Sequence, residues 1–329
     1  MAAYQLQDDY GTGDTFFDNF DFYTGGDPTN GYVSYVDRST ASSSGLINTS
    51  GGSVYIGVDS TNVASAPGRQ SVRLSSTKTY NHGLVILDLA HMPGSVCGSW
   101  PAFWMLGPDW PNNGEIDIIE GVNEQSTNAV ALHTSTGCTI NDSGFSGKLQ
   151  TSNCDVAAAG QSNNAGCGIG SSDTQSYGDG FNQAGGGVYA TEWTSAGISV
   201  WFWPSASVPS DIANGGPDPS GWGTPSAAFA GDCDIDAHFN QLQILFDVTF
   251  CGDWAGNVWS TSSCASKDSS CTSYVQNNPA DFAESYWSVN SLKVYQDGSS
   301  ARNVTAFDAS TPSSRIVRKH RRNGFYHGQ

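Results

Sequence analysis

Three carboxylates within six residues, Glu115, Asp117 and Glu120, form the one dense acid cluster of this chain, interleaved with Ile116, Ile118 and Ile119. Two carboxyl groups on one face can hydrolyse a glycosidic bond when one keeps its proton as a general acid and the other attacks as a nucleophile. Their surroundings must then split their pKa values. Three carboxylates this close cannot all ionise cheaply, so one should hold its proton above its ordinary pKa. A divalent-cation site, or a plain solvated face, is the competing use of the same residues.

The element that must present these acids reads as a strand. β-Branched residues run from Glu115 to Glu120 between the turn sequences Asn112-Asn113-Gly114 and Gly121-Val122-Asn123. On a strand, side chains alternate, so Glu115 and Asp117 share one face and Ile116 and Ile118 the other. Strict alternation would then put Ile119 among the acids and Glu120 among the apolar residues, where an unpaired charge is costly. One extra residue near Ile118-Ile119, a β-bulge, returns Glu120 to the acid face, and bulges are common beside active sites. Extended Cα atoms four residues apart are separated by about 13 Å. A retaining glycosidase needs its carboxyls about 5 Å apart, so the two Glu side chains must lean together.

Aromatic residues crowd the stretch just upstream: Trp100, Phe103, Trp104 and Trp110. Sugar rings present apolar C–H faces to indoles, and a groove for neutral polysaccharide is often floored that way. Trp110, in a Gly-Pro-Asp-Trp-Pro-Asn-Asn-Gly turn, is the best groove candidate, and Trp254, in Cys-Gly-Asp-Trp-Ala-Gly, the second. His133 ends the strand after the acids and can reach Asp117 or a substrate. No second His stands at metal-ligand spacing. Arg73 alternates with Val72 and Leu74, so it belongs to the polar face of its strand, free for sugar hydroxyls or a carboxylate; a surface ion pair is its alternative role.

Composition is compatible with that chemistry. The 329 residues include 13 Lys and Arg against 31 Asp and Glu, a formal net charge of −18, which argues against polyanionic partners such as nucleic acid or acidic membranes. Charged residues are only 13% of the chain and Gly numbers 39, so Ser, Thr, Asn and Gly must solvate the surface in an extracellular style. Eight Cys without paired zinc spacing suggest disulfides, whose connectivity the spacing leaves open. Sequons begin at Asn48, Asn141 and Asn303. No apolar run is long enough to span a membrane. Met1-Ala2-Ala3 leads straight into polar sequence, read as a mature terminus with an added Met, and a monomer is expected.

The scaffold reads as all-β. Alternating or continuous apolar runs at 54–58, 72–75, 83–90, 129–134, 198–203, 242–250 and 287–294 imply two curved antiparallel sheets in a sandwich or jelly roll. Residues 4–50 form an aromatic-rich segment packing on a sheet, and 279–285 a short helix. Residues 135–187 and 204–237 resist strand assignment and read as long loops stapled by Cys138, Cys154, Cys167 and Cys233. We expect a single catalytic domain over 1–312. The remaining 313–329 form a basic, disordered tail, with Arg315, Arg318, Lys319, Arg321 and Arg322.

The segment Gly114-Glu-Ile-Asp-Ile-Ile-Glu-Gly121 resembles the bulged E-x-D-x-x-E signature of glycoside hydrolase family 16. His91-Met-Pro93, Cys97-Gly-Ser-Trp-Pro-Ala-Phe-Trp104 and Cys251-Gly-Asp-Trp254 resemble its fungal secreted laminarinase/lichenase branch, over roughly residues 4–297. The resemblance implies a β-jelly roll with a concave groove, and retaining endo-hydrolysis of β-1,3- or mixed β-1,3-1,4-glucan by a secreted enzyme. It assigns Glu115 as nucleophile, Asp117 as assistant and Glu120 as acid/base, with Trp104, Trp110, His133, Arg73 and Trp254 lining glucose subsites. No cofactor is implied; some relatives hold a structural calcium, for which no decisive ligand set is readable here. A transglycosylase, or a glucan-binding lectin on the same jelly roll, are the alternative functions.

Overall fold

Period-two apolar patterning resolves into two antiparallel sheets that pack face to face. A computed structural model describes residues 4–297, so the sequon at Asn303 and the basic tail lie outside the described residues. The acid-bearing sheet has the strand order Lys148–Thr151, Cys167–Gly170, Ala129–His133, Glu115–Glu120, Ser99–Leu106, Gln243–Phe250, Leu74–Ser76 and Phe20–Phe22. The covering sheet is centred on Gly83–His91 and Trp287–Asp297. Gly187–Thr194, Gly197–Pro204 and Ala227–Phe229 follow on the side of the first, while Val54–Ile56, Ile47–Asn48 and Tyr4–Asp9 lie on the side of the second.

Residues directly opposite in an antiparallel pair share a face. Met105 pairs with Ile116 and Ile244, and Phe103 with Ile119 and Phe246; all are buried and point between the sheets. From the covering sheet, Val85, Leu87 and Leu89 meet them, aligned with Val294, Leu292 and Val289. Each such burial contributes about 1.5–3 kcal/mol, which makes the shared interior the main source of the fold's stability. The covering sheet is apolar on its other side too. Leu84, Ile86, Val188 and Ala190 are roofed by Trp203, Val208, Ile212 and Trp222, which explains why 83–90 reads as continuously apolar rather than alternating. The aromatic N-terminal segment packs as expected: Phe20 meets Phe246 edge-on, and Phe20–Phe22 forms an edge strand of the acid sheet.

The two stretches expected to be strand-free loops are not. Lys148–Thr151 and Cys167–Gly170 extend the acid sheet, and Cys138–Ile140 pairs with Gly231–Cys233. Their Gly, Ser, Thr and Asn content gives little apolar alternation, because these strands are held by backbone ladders and crosslinks more than by side-chain burial. The stapling expectation does hold: Cys138–Cys233 joins the two stretches and Cys154–Cys167 closes the first on itself. Cys97–Cys264 and Cys251–Cys271 fasten the segment after Phe250 to the acid sheet.

Candidate active site

Gly114 opens the acid strand at φ +74°, where a Cβ would meet the Phe239 ring at 2.4 Å, so only glycine lets the turn close there. Glu115 then lies opposite Leu106 on one neighbour and His133 on the other, and Asp117 opposite Trp104 and Ala131. At the next step the ladder to Ser99–Leu106 skips Ile118: Ile119 faces Phe103 and Glu120 faces Ala102. The skipped residue is the bulge that alternation demands. It leaves Ile118 and Ile119 in the core and sets all three acids on the face of Leu106, Trp104 and Ala102.

Asp117 is 1% exposed, with its Oδ2 3.2 Å from Nε2 of His133. Candidate ligand atoms of Glu115, Asp117 and His133 all fall within 4.8 Å of one another. Burial, then repulsion from Asp117, pushes Glu115 up to about 8, against the pull of His133 and Arg73. The same two causes hold Glu120 well above the usual carboxylate range, opposed by a hydrogen bond from Trp100 and by His133. Burial draws the His133 imidazole down, but Asp117, Glu115 and Glu120 outweigh it and raise it to about 9. Desolvation and like charge thus raise Glu115 and Glu120 alike above ordinary carboxylates, the kind of perturbation that gathers at functional sites.

Trp104 packs with Leu245, Ala102 and Leu106 as the apolar floor beside the acids. Trp110 sits half-buried in the turn joining Leu106 to Glu115, at the Glu115 end of the strand, while Trp254 stands at the Glu120 end, edge-on to Trp100 with centroids 5.7 Å apart. Arg73 departs from the surface ion pair weighed for it. It is buried, 3.2 Å from the equally buried Asp247, with its guanidinium 4.8 Å from the Trp104 ring centre and 5.4 Å from that of Tyr23. An exposed carboxylate could not have drawn it there; a partner on the neighbouring strand Gln243–Phe250 did.

Two residues that sequence reasoning did not single out as functional belong to this site. Trp100 donates its indole N–H to Oε1 of Glu120 at 2.8 Å, and its even parity with Ala102 and Trp104 was the available signal. Asp247, an isolated acid inside an apolar strand pattern, is pushed up to about 7 by burial despite Arg73.

Two stacked antiparallel sheets, with a bulged carboxylate strand and flanking indoles on the free face of one, define a glycosidase-type jelly roll. The chain belongs to glycoside hydrolase family 16: the XgeA-like, catalytic GH16 domain matches residues 20–295. It is 49% identical over 301 residues to an endo-1,3(4)-beta-glucanase of Arthroderma benhamiae, covering 90% of this chain and 66% of that protein. It is 48% identical to a probable glycosidase of Schizosaccharomyces pombe, covering 89% of this chain and 70% of that one. A probable endo-1,3(4)-beta-glucanase of Neosartorya fischeri is 47% identical, but this chain spans only 48% of its length. Among solved structures, an elongating GH family 16 beta-1,3-glucosyltransferase superposes with TM-score 0.82 at 46% identity, over 89% of this chain and 100% of the other. Laminarinase 16A from Phanerochaete chrysosporium, with beta-glucans in donor and acceptor sites, gives 0.83 at 44%, over 90% and 100%.

Proposed function

We propose that this domain cleaves internal bonds of β-1,3- and mixed β-1,3-1,4-glucan with retention, Glu115 acting as nucleophile and Glu120 as acid and base. The observation that carries the reading is the bulge at Ile118, since without it Glu120 would point into the core. Glu115 attacks the anomeric carbon while Glu120 gives its proton to the departing glycosidic oxygen. In the second half Glu120 takes a proton from water, whose oxygen displaces Glu115 from the glycosyl–enzyme. Arg73 is among the groups drawing Glu115 towards its charged form, and the Trp100 hydrogen bond tunes Glu120. Asp117 sits between them as the partner of His133. Trp104, Trp110, Trp254, His133 and Arg73 serve the glucose subsites. The laminarinase with glucans in both donor and acceptor sites supports this, and so do the endo-1,3(4)-glucanase relatives.

Four disulfides and exposed sequons at Asn48 and Asn141 support work outside the cell. Glu115→Gln and Glu115→Ser are expected to abolish release of reducing ends from laminarin and lichenan with unchanged circular dichroism. Full activity in either variant overturns the nucleophile role, and rates on the two glucans read the linkage preference.

One specific observation favours a second outcome at the same site: the glucosyltransferase matched along its whole length. A sugar hydroxyl in place of water would then capture the glycosyl–enzyme. Products longer than an added laminari-oligosaccharide would identify transfer as the main reaction; shorter products alone would identify hydrolysis.

A further inference from the structure

The acid strand is paired on both sides only as far as Asp117. Its ladder with Ala129–His133 runs Glu115 to His133, Ile116 to Leu132 and Asp117 to Ala131, and then stops. Continued without a break, that register would bring Asn128 opposite Glu120. The bulge prevents it, because the strand bends and its next backbone groups no longer meet a partner's. The Ile118 carbonyl and the Glu120 N–H, both turned towards Asn128, would otherwise be left unpaired in the interior, which native structures avoid.

Asn128 supplies what the ladder lacks. Its side chain, 2% exposed, donates from Nδ2 to the Ile118 carbonyl at 2.8 Å and accepts the Glu120 N–H on Oδ1 at 2.9 Å. A primary amide carries one donor and one acceptor edge in a plane, so a single side chain imitates the peptide unit of a missing strand. Asn128 is itself held from behind: its N–H donates to Ser176 Oγ at 3.0 Å and its carbonyl accepts the Ser171 N–H at 2.8 Å. Ser176 Oγ in turn donates to the Asp173 carbonyl at 2.6 Å.

We propose that Asn128 is a positioning residue of the reaction: its carboxamide splints the bulge at Ile118 and thereby fixes where the Glu120 carboxyl stands against the glycosidic oxygen. The inference rests on the acid/base role proposed for Glu120. A carboxyl misplaced by a fraction of an ångström donates its proton late, whereas attack by Glu115, on the fully paired half of the strand, is unaffected. The loss should therefore depend on how much the leaving group needs a proton.

The test compares Asn128→Ala, Asn128→Asp and Glu120→Ala on laminarin or lichenan, and on an aryl β-laminarioside with a dinitrophenolate leaving group, which departs unprotonated. For Asn128→Ala we expect kcat on the glucan to fall by about 10- to 100-fold with KM little changed, while the first turnover of the aryl substrate stays within about threefold of wild type. Asn128→Asp keeps the acceptor for the Glu120 N–H and should recover part of the loss. Its added charge should move the alkaline limb of the pH profile upward, a readout available even if Asn128→Ala does not fold. Equal losses on both substrates, or no loss on glucan in a folded Asn128 variant, overturn the proposal when Glu120→Ala discriminates between leaving groups. If Glu120→Ala fails to discriminate, it is the acid role of Glu120 that falls.

Discussion

Trp100 holds Glu120 by a 2.8 Å hydrogen bond from its indole N–H to Oε1, and the same ring meets Trp254 edge-on. An aromatic of the floor is thus also an electrostatic control on an acid. The link runs on through Trp254 to the Cys251 loop, which Asn30 grips through Asp253.

Trp100→Phe removes a donor that favours the ionised form of Glu120, so the Glu120 pKa rises further. If Glu120 must be protonated to release the leaving group, the alkaline limb of kcat/KM moves up by about one pH unit, the size of a hydrogen bond to a charged group. A profile measured from acid to alkaline pH checks this; a limb that stays put or moves down contradicts it.

His133→Gln takes away the cation beside Asp117. Glu115 loses a charge that lowers its pKa, so the acid limb of the profile shifts upward and the rate near neutral pH drops. Stability responds as well. His133 is raised from 6.5 to about 9 in the fold, so its contribution is complete below about pH 6.5 and is lost as pH rises through 9. Glu115, raised from 4.5 to about 8, also favours the fold when protonated, a contribution lost as pH rises through 8. Tm of the wild type should therefore fall from about pH 5 to pH 9, and thermal melts of His133→Gln should show a shallower fall between about 6.5 and 9, keeping the Glu115 share but losing that of His133.

Arg73→Met strands Asp247 in the interior without its guanidinium, where both partners are now nearly inaccessible. Breaking one side of a buried pair costs about 3–5 kcal/mol, and replacing both by apolar residues costs much less. Urea unfolding of Arg73→Met, Asp247→Leu and the double variant checks this: the double variant should be more stable than Arg73→Met alone.

Replacing both cysteines of Cys138–Cys233 should cost about 2–5 kcal/mol. The loss should exceed that for Cys154–Cys167 by about 1–2 kcal/mol, because the first closes a span of 95 residues and the second one of 13. Equal Tm losses in the two double variants would contradict that loop-entropy account.

Much of the site was legible from the acid strand alone. Three acids among three isoleucines cannot satisfy strict alternation without sending Glu120 into the core, and the cost of that buried charge is enough to demand the bulge seen at Ile118. His133 within reach of Asp117 was readable from its place at the end of the strand that follows the acids, with a substrate contact as the other reading. The Gly-rich strand Cys167–Gly170 was not, since its neighbours hold it through backbone bonds that leave no apolar rhythm.

Side-chain alternation is a property of consecutive residues, so the sequence by itself determined the all-β class, the acid face and the need for a bulge. Which strand comes to lie beside which is settled by closure of the whole sandwich, across separations that no local pattern encodes. Only the tertiary structure could therefore pair Arg73 with Asp247, Cys138 with Cys233, and Trp100 and Asn128 with Glu120.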